Sequence, residues 1–307
     1  MNWYKGNPHT HTNRSDGDAP LEYVVEWYAK RGYDWLVITD HHRGLTATEA
    51  CELSNRYDIL VIPGNETGGT CHVVGLGVAV DCQELATTFR SGDPVESLQR
   101  QINWVNDNHG LALAAHPNWT YMWDAAIFLQ TSGCNLFEVH NGTTDCNTFS
   151  AGGKQGTDEI WNDILNAGRL IYGVGADDVH RLLPDELANA QNRNACGGNS
   201  WTYIEAESLS AANVLCALKS GRCAASNGPN LTGFGIENGE YYLNIAETYD
   251  HFHYTTSFFG SQGLLAEIHG RNPRYKIVGN EQWIRARSFC SSGRYLWTQP
   301  LVVKGGW

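Results

Sequence analysis

The chain has 307 residues, which at roughly 150 residues per domain predicts about two domains with a substantial core. Its formal net charge is −12 and only 18% of its residues are charged, which argues against broad electrostatic binding of nucleic acid or acidic lipid. With 42% hydrophobic and 11% aromatic residues, the sequence is typical of a folded protein and excludes a disordered one.

Up to about residue 227, short apolar or β-branched runs alternate with segments of helical periodicity. This alternation is typical of βα units around a parallel sheet. The predicted strands are 36–39, 60–63, 72–77, 111–115, 136–139, 170–174 and 201–204. The predicted helices include 21–31, 94–108, 158–167 and 211–220. Seven strands in this order predict a barrel-like α/β domain, which we assign to residues 1–229.

The pattern changes after Asn227-Gly228-Pro229, where helical periodicity ends and turn residues recur around short alternating runs. These runs are 241–245, 252–258 and 283–288. They predict a small all-β, sandwich-like domain over residues 230–307.

No run approaches the roughly 20 apolar residues of a membrane helix, and the first residues lack the apolar stretch of a signal peptide. We therefore expect a soluble, cytoplasmic protein without a membrane partner. The nine cysteines include no C-x-x-C pair, so neither a disulfide framework nor a thiolate zinc site is indicated.

Histidine and carboxylate residues recur where predicted strands end, and the carboxyl ends of parallel barrel strands meet on one face. Mixed nitrogen and oxygen donors suit zinc, manganese or iron better than calcium or magnesium. A single such histidine is more often a structural residue. Burying so many ionisable groups without metal, however, would cost several kcal/mol per ion. The candidates are His9, His11, Asp16, Asp40, His41, His42, Glu66, His72, His116, His140, Asp177, Asp178 and His180.

These motifs resemble the polymerase and histidinol phosphatase (PHP) family of metal-dependent phosphoesterases, in the family's order and over about residues 5–230. The resemblance implies a distorted (β/α)7 barrel with two to three divalent ions (Zn, Mn or Fe) and no organic cofactor. The matching motifs are His9-Thr-His11, Ser15-Asp16-Gly17, Thr39-Asp40-His41, Glu66 with His72, Ala115-His116-Pro117 and Asp178-Val-His180. The family's trinuclear branch implies one metal on His9, His11, Glu66 and Asp178, a second on Glu66, His72 and His116, and a third on Asp16, His41 and His180.

The C-terminal segment, with Trp283-Ile-Arg-Ala-Arg and Trp297-Thr-Gln-Pro-Leu, looks like that of a branch containing a carbamate-ester (carbaryl) hydrolase. Two positions depart from common family patterns, because His42 stands where nucleotide phosphatases usually have Asp, and His140 where some members have Asn. We take His42, His140 and the bridging Glu66 as candidate catalytic residues. For His140, proton donation to the leaving group and a packing role both remain open. We expect Asp40 to orient a liganding histidine, and Asp177 to be exposed or to support a ligand.

The predicted reaction is hydrolysis by a metal-bridging hydroxide, because metal lowers the pKa of water from 15.7 toward about 7. No Gly-x-Ser-x-Gly or phosphate-loop motif offers another route. Arg14, Arg43 and Arg181 lie in ligand-bearing loops and favour a small anionic substrate, unless they form surface ion pairs.

We therefore expect hydrolysis of a phosphoric monoester or diester, such as a small organic phosphate or nucleotide. A carboxylic ester or carbamate is the alternative, with aromatic walls from Trp119, Tyr121 and Trp123. A further alternative is a non-catalytic, metal-stabilised binding module. No long nucleic acid partner is expected, and the oligomeric state stays open.

Overall fold

The structure, a computed structural model, describes residues 1–184 and 196–303. Residues 185–195 and 304–307, which belong to the two predicted domains, lie outside the described residues. The helices are α1 (Leu21–Ala29), α2 (Ala47–Tyr57), α3 (Ala86–Phe89), α4 (Pro94–Asp107), α5 (Ala125–Phe128), α6 (Thr157–Asn166) and α7 (Ala211–Lys219).

The strands of the N-terminal part are β1 (Asn2–Asn7), β2 (Trp35–Ile38), β3 (Leu60–Gly68), β4 (His72–Leu76), β5 (Leu111–Ala114), β6 (Leu136–Asn141), β7 (Tyr172–Ala176), β8 (Trp201–Ala206) and β9 (Cys223–Ser226). The C-terminal strands are β10 (Leu231–Glu237), β11 (Glu240–Ile245), β12 (Tyr254–Gly260), β13 (Gly263–His269), β14 (Arg274–Lys276), β15 (Trp283–Cys290), β16 (Arg294–Thr298) and β17 (Leu301–Val302). The seven strands predicted for the first part are all present, whereas β1 and α2 were not predicted.

The large sheet has the order β13-β12-β15-β16-β9-β8-β1-β2-β3-β4-β5-β6-β7, with β17 paired to β15. The neighbours β1, β2 and β3 are parallel, as are β5, β6 and β7, while β4 is antiparallel to both of its neighbours. Beyond the strands, Thr10 and Val179 form a parallel bridge, so the chain after β1 meets the chain after β7. Between β7 and β8, the Thr202 hydroxyl bonds both N and O of Gly175, at 3.0 and 2.7 Å.

Alternation along β2 separates two apolar layers. Trp35 and Val37 belong to an inner cluster against which α7 packs, whereas Leu36 and Ile38 belong to an outer cluster with α1 and α2. This is the period-two pattern of a strand with both faces covered. A Cβ at Gly6 of β1 would lie 2.0 Å from the Trp35 ring, so glycine is required there.

The large sheet continues across the predicted boundary at residue 229, because β16 pairs with β9 through Leu296 and Ser226. Only β10, β11 and β14 form a separate sheet in the described chain. At the junction, Asp158 of α6 forms ion pairs with two guanidiniums of β15, with Arg285 at 2.8 Å and Arg287 at 2.7 Å. The C-terminal strands are therefore built onto the α/β part. Among the described residues, no helix has the length and apolar character to span a membrane.

Candidate metal centre

The candidate ligands lie at one edge of the large sheet, where its parallel strands end. The one antiparallel strand in this region, β4, begins there, since Gly68 pairs with His72. Its first residue therefore joins the same edge. By strand, the residues are His9 and His11 after β1, Asp16 in the following loop, His41 after β2, Glu66 in β3, His72 at the start of β4, His116 after β5, and Asp178 and His180 after β7.

The most buried group joins His9, His11, Glu66 and Asp178, whose ligand atoms all lie within 4.8 Å of one another. The two Nε2 atoms of His9 and His11 are 3.0 Å apart. They lie 3.2 and 3.1 Å from Glu66 Oε2, and 3.3 and 3.2 Å from Asp178 Oδ1. Four donor atoms thus converge on one small volume, which is the set that the family resemblance assigns to the first metal.

Two further groups adjoin this one. His11, Asp16, His41 and His180 form one, and His41, Glu66 and His72 form the other. His116 lies outside these groups, but its Nε2 is 3.2 Å from Glu66 Oε1. Glu66 therefore contacts ligands on both sides, through Oε2 to His41 at 3.2 Å and through Oε1 to His72 at 3.0 Å. A shared carboxylate is the arrangement by which neighbouring divalent ions are bridged.

Burial decreases across the cluster toward one side. The side chains of His9 and Glu66 are 0% and 1% exposed, whereas Asp16 is 51% and His41 24% exposed. The cluster is therefore open to solvent on the side of Asp16 and His41.

Two residues that sequence reasoning missed hold the buried group from behind. Glu138 of β6 accepts from His9 Nδ1 at 2.7 Å and from the His116 backbone N–H at 2.9 Å. Asn141 donates to Glu138 Oε2 at 2.9 Å and to Asp178 Oδ2 at 3.1 Å. Because Nδ1–H of His9 donates to Glu138, the lone pair of a neutral ring lies on Nε2, which faces the cluster. The only available signal was that Glu138 and Asn141 lie at a strand end.

Asp40 and Asp177 support loops and do not face the cluster. The Asp40 carboxylate accepts from the Thr12 backbone and hydroxyl and from the Ser15 hydroxyl, each at 2.7 Å. It orients the loop after His11, and its contacts do not include the imidazole we expected. Asp177 is 0% exposed, which excludes the first of the two alternatives expected for it, exposure, and leaves the second, a supporting role. It accepts from Tyr28 and from backbone N–H groups of residues 198–200, at 2.8 Å each.

The cluster is electrostatically unusual. Burial alone would lower the pKa of His11, but the adjacent carboxylates of Asp178 and Glu66 raise it to about 10. Burial would likewise raise the pKa of the Glu66 carboxyl, but His41 and His9 hold it well below its usual value. For His41 burial dominates and lowers the pKa to about 4. The carboxylates of Glu66 and Asp178 are thus ionised, and a nearby positive charge would stabilise them.

Three residues of the site have left-handed backbone conformations that L-residues seldom adopt, with φ of 57° at His42, 21° at His116 and 50° at Asp178. Such conformations cluster at functional sites, where the surrounding structure maintains them.

The other predicted catalytic residues lie beside the cluster. The His42 ring stacks on Phe89 and its Nδ1 lies 3.5 Å from Cys82 Sγ. His140 Nε2 lies 3.0 Å from Asn227 Nδ2, and its ring is 5.3 Å from that of Trp297. It is therefore Asn141, and not His140, whose side chain contacts Asp178.

Arg14 and Arg43, two of the predicted substrate-binding arginines, have acidic neighbours among the described residues. Arg14 pairs with Glu49 at 2.7 Å, and Arg43 lies 3.9 Å from Asp81. Arg181 is half-buried in the chain after His180. The ion-pair interpretation therefore applies to Arg14 and Arg43, which weakens their use as evidence for an anionic substrate.

Of the three aromatic residues considered as walls, Trp119 is placed beside the cluster. Its indole is 39% exposed and its ring centroid lies 5.7 Å from His72 and 5.5 Å from His116. Trp123 is buried and donates to the Ala115 carbonyl, and Tyr121 is exposed with Lys154 over its ring.

The donor set fits divalent metal ions. Asp178 Oδ1 is buried and makes no hydrogen bond to any described residue, although the two histidine Nε2 atoms lie within 3.3 Å. An ionised oxygen left in this state is costly unless a cation accompanies it. Imidazole and carboxylate together favour zinc, manganese or iron.

No family model matches the chain, and no curated protein matches it. Among solved structures, a two-domain protein from Bacteroides vulgatus containing a predicted PHP-like metal-dependent phosphoesterase matches with a TM-score of 0.53 at 15% identity. The match covers 99% of this chain and 88% of the other. This chain has the PHP-like fold. The likeness includes the C-terminal strands as well as the α/β part.

Two further solved structures resemble a smaller part of the chain. A protein from Bifidobacterium adolescentis, provisionally described as a metal-dependent phosphoesterase, matches with a TM-score of 0.40 at 15% identity. An amidohydrolase from Chromobacterium violaceum with bound sulfate and no metal matches with a TM-score of 0.38 at 17% identity. They cover 62% and 59% of this chain and 92% of their own. Within the PHP-like fold, the trinuclear centre and the carbaryl-hydrolase-like C-terminus stay predictions.

Proposed function

We propose that this protein is a metal-dependent hydrolase that cleaves phosphate esters of small organic molecules. The observation that carries the proposal is the convergence of imidazole and carboxylate donors around Glu66, which contacts His9, His11, His41, His72 and His116. A structural role would not require so many ionisable groups to share one buried carboxylate, because each is costly to bury.

Two or three divalent cations would be held by the nine predicted ligands, in the three sets that the family resemblance implies. When bound, such ions lower the pKa of water and neutralise negative charge that develops during hydrolysis. The chain itself supplies orientation. Glu138 fixes the His9 ring, Asn141 fixes the Asp178 carboxylate, and Asp40 fixes the loop that carries Asp16.

Charge supports a phosphate ester over a neutral one. Three divalent ions outweigh the carboxylates of Asp16, Glu66 and Asp178 together with that of Glu138 behind His9, so the fully loaded site would be net positive and favour an anionic substrate. The description of the Bacteroides vulgatus protein as containing a predicted PHP-like phosphoesterase points to the same class. Arg14 and Arg43 have acidic neighbours, so the preference for an anionic substrate comes from the cluster and not from these side chains.

A neutral ester or carbamate is the second candidate, and Trp119 is the observation that favours it. Its exposed indole beside His72 and His116 offers a flat apolar surface for an aryl group. Aryl phosphates could use the same surface, so this feature alone does not reverse the preference.

The test is to load the protein with manganese or zinc and assay it in parallel on 4-nitrophenyl phosphate, a nucleoside monophosphate and 4-nitrophenyl N-methylcarbamate. We expect phosphate release from at least one phosphate ester, together with two or three ions per chain by elemental analysis. Carbamate cleavage without phosphate release would contradict the phosphoesterase proposal. Fewer than two ions per chain and no turnover would favour a non-catalytic module.

A further inference from the structure

A cavity of about 330 Å³ lies beside the candidate metal centre, between the segment after β6 and the C-terminal strands. Its walls include His140, Asn141 and Phe149 from the first part of the chain, and Asn227 and Arg294 from the junction with β16. Asn141 also donates to Asp178 Oδ2 at 3.1 Å, so one side chain separates this cavity from the cluster. The proposed reaction does not itself assign a role to this cavity.

Hydrogen bonds fix which nitrogen of His140 carries its proton. The Tyr295 backbone N–H donates to Asn227 Oδ1 at 2.6 Å, so the Asn227 amide nitrogen is the donor toward His140 Nε2 at 3.0 Å. In the neutral ring the proton therefore lies on Nδ1. Burial, with a smaller effect of Arg294, lowers the pKa of His140 to about 4, so the ring is neutral near pH 7.

The Nδ1–H of His140 is a hydrogen-bond donor without an acceptor. It is buried and has no partner among residues 1–184 and 196–303. An unpaired buried donor costs about 1–3 kcal/mol. Because Nε2 accepts from Asn227 and Nδ1 is buried, the neutral ring offers no proton at the cavity surface, so this arrangement favours a packing role for His140 over general acid catalysis.

Arg294 adds a positive charge to the same cavity. In the described part of the chain its guanidinium contacts the Asn227 carbonyl at 3.3 Å and has no carboxylate within ion-pair distance, unlike Arg14 and Arg43. Its stem lies over Gly228, where a Cβ would approach Arg294 Cβ to 2.4 Å, so the glycine permits this path. Phe149, which is 48% exposed, stacks near Tyr295 with ring centroids 5.1 Å apart and adds an aromatic wall.

We propose that this cavity binds a carboxylate on the non-reacting part of the substrate through the Arg294 guanidinium, beside the aromatic wall of Phe149. A single guanidinium matches a monoanion better than a phosphate dianion. The proposal rests on the phosphoesterase function and narrows its substrate class to phosphate esters that carry a carboxylate, with an aryl carboxylate as the simplest case.

The test compares binding of 4-phosphonobenzoate and phenylphosphonate, which are not hydrolysed, to the metal-loaded protein by isothermal titration calorimetry. We expect the carboxylate to improve affinity roughly tenfold, as for a charge-assisted hydrogen bond. Arg294→Gln should remove most of this preference and leave phenylphosphonate binding unchanged. Arg271→Gln is the matched control, because Arg271 is exposed and pairs with Glu247 at 3.3 Å.

The outcomes separate the two proposals. Equal affinity of the two phosphonates for the wild type, or a preference that survives Arg294→Gln, would overturn the cavity assignment and leave the phosphoesterase proposal intact. Failure of phenylphosphonate to bind, with carboxylate-dependent binding of 4-phosphonobenzoate that Arg294→Gln abolishes, would contradict phosphate recognition by the metal centre and support the cavity. Failure of both compounds to bind would overturn both.

Discussion

Two of the places where the molecule buries ionisable side chains differ in the source of their positive charge. At the junction, Asp158 pairs with Arg285 and Arg287, and Arg285 also lies 4.5 Å from the Trp161 ring centroid. At the candidate metal centre, histidines are the only described side chains beside Glu66 and Asp178 that can carry a positive charge. Guanidinium is permanently charged, whereas imidazole near neutral pH must first take up a proton.

This difference separates a structural cluster from a ligand site. The junction carries its own countercharge, so it is electrostatically complete as the chain folds. The candidate metal centre has no permanently charged partner among the described residues, and the carboxylates of Asp178 and Glu66 instead raise the pKa of His11 to about 10. A buried carboxylate next to arginine therefore indicates stability, and a buried carboxylate among histidines indicates an external cation.

The largest effect should follow from Glu66→Gln. An amide cannot bridge cations as a carboxylate does, so we expect activity to fall on the order of 1,000-fold and bound metal to decrease by at least one ion per chain. Activity assays and elemental analysis of the same preparations measure both. The exposed Glu207→Gln variant is the control and should retain metal and activity. Full metal content in Glu66→Gln would remove the basis for a shared ligand.

Asp158→Asn should affect stability and leave the metal centre intact. The change leaves Arg285, which is 0% exposed, without its buried countercharge, and such changes cost about 3–5 kcal/mol. Denaturant unfolding measures the loss, and metal content per folded chain should not change. Glu237→Gln is the matched control, because Glu237 is exposed and lies 3.7 Å from Arg274, so at most about 1 kcal/mol is expected. Equal losses in the two variants would contradict the assignment of Asp158 as a structural countercharge.

The smallest effect concerns pH and the buried His140. Its pKa is lowered from 6.5 to about 4, so between these values the unfolded chain binds the proton and the folded chain does not. The stabilising contribution is therefore present above pH 6.5 and is lost as pH falls toward 4, by roughly 3 kcal/mol in total. Unfolding free energies of the wild type and His140→Asn across this range should diverge by that amount. Parallel curves would show that His140 titrates normally in the folded protein.

Much of the site could be predicted from residue types at strand ends. The His9-Thr-His11 motif, Glu66 and Asp178 needed only their positions after apolar runs, because parallel strands bring their carboxyl ends together. The residues that hold these ligands from behind, Glu138 and Asn141, could not be predicted in the same way. They flank His140 in β6, where the pairing with β7 shifts register between Glu138 and His140. In the folded chain it is Asn141 that contacts Asp178.

The elements that were missed have local explanations. Strand β1 contains Gly6 and Lys5, which depart from a strand-like pattern, and its glycine is needed only because the Trp35 ring packs against it. Helix α2 has a weak apolar face, with only Ala50 and Leu53 buried. Its start was nevertheless encoded, since Thr46 and Glu49 form a reciprocal capping box.

By itself the sequence determined that this is an acidic chain with an α/β part, a change to short strands near residue 229, and a concentration of potential metal ligands at strand ends. These properties follow from periodicity and residue type, which are local, whereas the likeness to the PHP family came from the resemblance of its motifs. Only the tertiary structure decided that β16 extends the large sheet through β9, that Arg14 and Arg43 have acidic neighbours, and that Tyr295 and Asn227 set the proton of His140. These outcomes depend on which distant residues meet, and such pairings are set by packing and register rather than by any local pattern.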